Sequence, residues 1–163
     1  MVPQNDDPKE SRPPTLSDLI TLCRHLNEKH AKYIVIGGMA LIHHGFVRAT
    51  EDIDLLVDTS VENERAVIEA LSKLPDSAAS EIRAGEIDQY EVIRVADEVV
   101  VDLMKKACGI EYAAASKDIA RATLGGVTIP FANLELMIRL KQSVRPKDKM
   151  DLEFLKSLKG KSK

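Results

Sequence analysis

The sequence predicts a mixed α/β fold, a small twisted β-sheet flanked by helices, and local patterns of apolar residues carry that expectation. An apolar run at 33–36 ends abruptly at Gly37-Gly38 and gives way to Met39-Ala40-Leu41-Ile42, which reads as strand, tight turn and helix start. Ile53, Leu55 and Val57 alternate with Asp52, Asp54 and Leu56, the period of a strand. Leu16, Leu19, Ile20, Cys23 and Leu26 recur at helical spacing, so an amphipathic helix precedes the first strand, with Thr15 or Ser17 as its cap.

The remaining elements follow in order. Residues 61–74 read as a helix with Val67, Ile68, Leu71 and Leu74 on one face, stopped by Pro75. Residues 75–89 read mostly as loop. The β-rich runs 90–95 and 99–104 flank Ala96-Asp97-Glu98 as an antiparallel pair. A short helix is expected at 110–116, and 119–124 with 127–130 form a tight hairpin around Gly125-Gly126. Asn133 caps a helix running to 144, and a last helix spans 146–158.

With 163 residues and 44% hydrophobic content, the chain has the makings of one globular domain, expected over 15–159. Residues 1–14, rich in proline, charge and amide, are expected to fray. A net charge of −3 gives no general attraction to nucleic acid, so an RNA partner would need a local basic patch, for which the C-terminal lysines and arginines are available. The two cysteines are Cys23 and Cys108, and Cys23 falls on a helical apolar stripe, which argues against a disulfide framework. No apolar run approaches a membrane span and the N-terminus has no hydrophobic signal core, so a cytoplasmic protein is expected.

The chemistry concentrates between Ile34 and Val57. A helix N-terminus carries unpaired N–H groups and partial positive charge, and glycines let a phosphate approach the backbone, so Gly37 and Gly38 mark a phosphate turn. By strand alternation Asp52 and Asp54 share a face, where two like charges repel by up to about 4 kcal/mol at about 4 Å and an effective dielectric near 20. A divalent cation removes that cost, and hard oxygen ligands suit Mg²⁺ or Mn²⁺. Glu51 points away from the pair, and Asp58 lies farther along the strand.

Strand, Gly-Gly, short helix and Asp-x-Asp on the next strand together resemble the nucleotidyltransferase superfamily, the polymerase-beta-like fold. That resemblance implies that Gly37 and Gly38 hold a triphosphate, that Asp52 and Asp54 bind Mg²⁺, and that a third carboxylate from a neighbouring strand completes the site. Asp102 is the candidate, since it interrupts the apolar run Val99-Val100-Val101-Asp102-Leu103-Met104, where a lone charge must pair, neutralise or bind metal. The alternative is a strand-end carboxylate facing solvent or pairing with a lysine. Many small members of the superfamily carry serine after the first glycine; Gly38 stands there in this chain, which leaves backbone donors to hold phosphate.

Arg48, in Arg-Ala-Thr-Glu-Asp, suits either a phosphate or a carboxylate that it braces. Lys141 joins Leu134, Met137, Ile138 and Val144 on one helical stripe, either snorkelling or reaching the triphosphate. Lys141, Arg145-Pro146-Lys147-Asp148 and Asp151 stand in an order that resembles the nucleotidyltransferase-type toxins of abortive-infection and toxin–antitoxin systems. Salt bridges on a helix surface are the alternative for Lys147 and Asp148. His43 and His44 are adjacent and cannot share a helix face, so a packed or exposed pair is expected rather than a metal site.

The expected activity is transfer of a nucleoside monophosphate from an NTP to an acceptor hydroxyl or phosphate, releasing pyrophosphate. Asp52, Asp54 and Asp102 are the catalytic and metal-binding candidates, and Gly37, Gly38, Arg48 and Lys141 the nucleotide-binding ones. Asp102 doubles as general base. The acceptor, whether tRNA, protein or small molecule, is not written in the sequence, and an antitoxin-like protein partner fits the resemblance. A binding protein on the same fold, without turnover, is the competing expectation.

Overall fold

A computed structural model describes residues 10–142 and 146–161. Helix α1 (Leu16–Glu28) starts at Thr15, whose hydroxyl accepts from the Asp18 backbone N–H while the Asp18 carboxylate accepts from that of Thr15. Its buried stripe is Leu19, Leu22, Cys23 and Leu26, while Leu16, expected on that stripe, is exposed. Strand β1 (Tyr33–Ile36) is buried at all four positions and leads directly into α2 (Gly37–His43). Then come β2 (Asp52–Val57) and α3 (Val61–Leu71), which Ser60 caps by accepting from the Asn63 N–H. The side chain of Asn63 bonds both the N–H and the C=O of Lys32 and the C=O of Asp58, pinning the approaches to β1 and α3 together.

The stretch 75–89 is not all loop: it holds a 3-10 turn (Ala78–Glu81) and α4 (Glu86–Gln89). Two buried carboxylates organise it where periodicity could not. Asp97 accepts from the N–H groups of Asp76 and Ala78, and Glu64 from those of Gly85 and Ile87. Strands β3 (Ile93–Ala96) and β4 (Val100–Met104) form the expected antiparallel pair.

A small hairpin of β5 (Lys106–Ala107) and β6 (Ile110–Glu111) precedes α5 (Tyr112–Ala115), so the helix expected at 110–116 begins two residues late. Cys108 and Gly109, both at positive φ, make its two-residue turn. Strands β7 (Ile119–Leu124) and β8 (Val127–Ala132) pair around Gly125-Gly126 as expected. Asn133 caps α6 (Leu134–Leu140) by accepting from the Leu136 N–H, and α7 (Pro146–Lys161) ends the described chain.

Among the described residues one sheet of six strands runs β3-β4-β2-β1-β8-β7, with β2 parallel to β4, β1 parallel to β8, and the other neighbours antiparallel. Helix α1 packs on α3 and β8, α2 on β1 and β2, and α6 on α7. The core includes Leu22, Ile34, Val35, Leu55, Leu103 and Phe131, all with no exposed surface. Residues 1–9 of the stretch expected to fray lie outside the described residues. Within that stretch Ser11 donates to the Asp97 carbonyl, the Arg12 N–H to that of Glu98, and the Arg12 guanidinium pairs with Asp18. No described helix is long and apolar enough to cross a membrane.

Candidate active site

One row of register partners crosses four of the sheet's six strands: Arg94 on β3 faces Asp102 on β4, Asp102 faces Asp54 on β2, and Asp54 faces Ile36 on β1. Side chains in such a row share one face of the sheet, and Asp52, two residues from Asp54, joins them. Asp52, Asp54 and Asp102 accordingly each offer a carboxylate oxygen, all within 4.8 Å of one another. The three acids expected from the sequence are therefore brought together, and Asp102 faces the other acids rather than solvent or a lysine.

The electrostatics follow from that crowding. Burial, with the like charges of Asp52 and then Asp102, pushes the Asp54 carboxyl up to about 7, while Lys141 pulls in the opposite direction. Three hard oxygen donors at this spacing fit a Mg²⁺ or Mn²⁺ ion in both donor chemistry and charge. Arg94 supplies the positive charge seen here: Nε and Nη2 fork onto the two oxygens of Asp102 at 3.0 Å each, and Nη2 also reaches Asp52 at 3.2 Å. The guanidinium is held firmly charged, chiefly by its hydrogen bonds to Asp102.

The glycine turn lies against this cluster. Gly37 has φ +67°, and a Cβ there would stand 2.1 Å from the Asp54 Oδ2, so both backbone conformation and space exclude a side chain. At Gly38 a Cβ would stand 2.4 Å from the Thr50 hydroxyl and 2.8 Å from the Thr50 Cβ. Thr50, which donates to the Asp52 carbonyl, thus fills the volume that a serine after the first glycine would need. Ile36, before α2, offers no side-chain cap. Gly37, Gly38, Asp52, Asp54, Arg94 and Lys141 line a common cavity of about 380 Å³.

Arg48 and Lys141 meet on α7. Arg48 Nη1 donates to both oxygens of Asp151 at 2.8 Å, and Lys141 pairs with Asp148 at 3.3 Å and Asp151 at 3.2 Å. Both aspartates are buried. Arg48 also lies over the Phe46 ring, which meets Phe154 of α7 edge-on. Arg48 braces a carboxylate and also lines the cavity with the glycine turn. Lys141 is neither snorkelling nor at a helix face open to water: it stands at the end of α6, mostly buried, between the α7 acids and the cavity. Arg145 and the Lys147 side chain lie outside the described residues. His43 stacks on Phe131 with centroids 3.9 Å apart yet is exposed, and the half-buried His44 bonds the Ala132 carbonyl through Nε2 at 2.9 Å.

Sequence reasoning missed Arg94, Thr50 and the bracing role of Asp151. The first had a signal, an arginine at an alternate position of the strand expected to pair with the one bearing Asp102. Pairing centred on Asp97 would have set Arg94 opposite Val100; the observed ladder is centred on Glu98.

The comparisons with known proteins agree with this geometry. Over 90% of its length the chain superposes on 99% of a solved lincosamide antibiotic adenylyltransferase, LnuA, in its lincomycin-bound form, with a TM-score of 0.60 and 16% identity. A Thermotoga maritima protein assigned as a nucleotidyltransferase matches 89% of the chain and 88% of its own, with a TM-score of 0.56 and 16% identity. These likenesses establish a shared nucleotidyltransferase fold. A search of curated proteins finds no significant match. A family model described as nucleotidyl transferase AbiEii toxin, Type IV TA system, matches residues 21–162. That match, over nearly the whole chain, makes it a member of the AbiEii nucleotidyl transferase family.

Proposed function

We propose that this nucleotidyltransferase moves a nucleoside monophosphate from an NTP to an acceptor hydroxyl or phosphate, with a divalent metal ion held by Asp52, Asp54 and Asp102. The convergence of three carboxylates beside the glycine turn, in one cavity, carries this reading. The acceptor oxygen forms a bond to the α-phosphorus, the bond from that phosphorus to the β-phosphate oxygen breaks, and pyrophosphate leaves with the electron pair. Mg²⁺ or Mn²⁺ supplies charge neutralisation of the phosphates and acidifies the attacking group.

The chain's own residues do the rest. Backbone N–H groups at Gly37 and Gly38 hold the polyphosphate, since no side chain intervenes there. Lys141 adds a positive charge to the same cavity. Arg48 holds α7, and with it the acids that position Lys141. Asp102 takes up the proton of an acceptor hydroxyl. Intact acids at all three positions favour turnover over a binding protein without chemistry.

The toxin family supports an antitoxin-like protein partner. It leaves tRNA, protein and small molecule as acceptor classes, the last being the kind on which the lincosamide enzyme acts. The test is NTP binding and release of labelled pyrophosphate by the wild-type chain with Mg²⁺ or Mn²⁺, against Asp54→Asn. Metal-dependent binding and release, both lost in the variant, are expected. A wild-type chain that does neither under any divalent metal overturns the reading.

A further inference from the structure

Arg94 stands on the edge strand β3, and its guanidinium takes both oxygens of Asp102 and one of Asp52. Those are oxygens that a divalent ion on the same cluster needs. The guanidinium and a divalent ion compete for the same oxygens, so each weakens the hold of the other on the cluster. The side chains differ in their freedom to move: that of Asp102 is 9% exposed and that of Arg94 is 61% exposed. Arg94 can change rotamer without disturbing the core, whereas Asp102 cannot follow it.

Where the guanidinium goes is constrained by the cavity. Arg94 and the glycine turn line the same space, and a guanidinium fork fits phosphate oxygens as well as it fits a carboxylate. A polyphosphate lying against Gly37 and Gly38 offers Arg94 a replacement anion. We propose that Arg94 is a built-in counter-cation of the acid cluster, exchanged onto the NTP phosphates when metal binds, so that metal and nucleotide each favour the other. The inference rests on the metal-dependent reading of the site given above. By linkage the favour is reciprocal: nucleotide tightens metal by the factor by which metal tightens nucleotide.

The experiment compares the full chain with Arg94→Gln and Arg94→Lys. Mn²⁺ binding without nucleotide is followed by the paramagnetic resonance of the free ion, and a fluorescent non-hydrolysable NTP analogue is titrated at saturating Mn²⁺. Arg94→Gln should bind Mn²⁺ alone at least about 10-fold more tightly than wild type, and the analogue at least about 10-fold more weakly, within the usual range of coupling between sites. Arg94→Lys, which keeps the charge but loses the fork, should fall between them in both titrations. Mn²⁺ affinity unchanged or weakened in Arg94→Gln overturns the competition. Analogue affinity unchanged at saturating Mn²⁺ overturns the exchange onto phosphate. In both cases wild-type binding of metal and analogue leaves the proposed reaction standing, whereas a wild type that binds neither removes both.

Discussion

Asp54 and Asp102 are direct partners in the parallel ladder between β2 and β4, and this pairing sets two acids side by side from strands far apart in sequence. Replacing either by asparagine keeps the shape and removes one charge. Pyrophosphate release should fall about 10³-fold or more in Asp54→Asn and in Asp102→Asn, since several kcal/mol of transition-state charge stabilisation depend on the bound ion. Both variants should still unfold cooperatively, and Asp54→Asn should melt no lower than wild type in chelator, because a like-charge contact has been relieved. Melting scans beside the turnover assay separate the two effects; a variant that keeps wild-type turnover contradicts the assignment.

The raised Asp54 carboxyl makes stability depend on pH in a defined direction. Its ordinary value is 3.8 and in the folded chain it is about 7, so between these the folded state holds a proton that the unfolded state releases. This group's contribution to stability therefore declines as pH rises from about 4 to about 7 and is level above that. In chelator, the melting temperature of wild type should drop more between pH 5 and pH 8 than that of Asp54→Asn. Mg²⁺ should restore wild type most at pH 8, where no proton need be expelled. Equal pH slopes for the two proteins would rule the mechanism out.

Gly38 and Thr50 share one small volume, which predicts a compensating pair. Gly38→Ala alone should destabilise by about 1–3 kcal/mol, the usual cost of forcing atoms into a filled space. In a Thr50→Gly background the same change should cost clearly less, because both the hydroxyl and the Cβ that it would strike are gone. Denaturant unfolding of the four proteins in the cycle gives the coupling directly. Additive effects would mean that the two positions do not compete.

Arg48 and Asp151, 103 residues apart in sequence, form a buried pair that ties the approach to β2 to the last helix. Asp151→Ala takes the carboxylate from both Arg48 and Lys141 and should lose about 3–5 kcal/mol, whereas Arg48→Ala leaves Asp151 its Lys141 partner and should lose clearly less. The double variant should lose much less than the two together. Hydrogen exchange across α7 should rise in both single variants; protection equal to wild type would show that this pair does not hold the helix.

Sequence pattern alone delivered the strand, turn, helix and strand that begin the site, the common face of Asp52 and Asp54, the Asn133 cap, a first cap at Thr15 or Ser17 that the structure places at Thr15, and the hairpin at Gly125-Gly126. Each is encoded over a few residues, as an alternation, a cap or a glycine turn, and needs no distant partner to be read. Asp102 was legible for a different local reason, a charge inside an otherwise apolar strand. Only the tertiary structure decided what stands opposite what: Arg94 against Asp102, Thr50 in the space beside Gly38, Arg48 and Lys141 on the α7 acids, and Asp97 and Glu64 anchoring 75–89. Ladder register and long-range ion pairs are settled by how whole elements pack, and a shift of two residues in one hairpin leaves every apolar residue on its proper face while moving Arg94 from Val100 to Asp102. The sequence by itself determined the acids and the glycine turn; packing determined which cation they face.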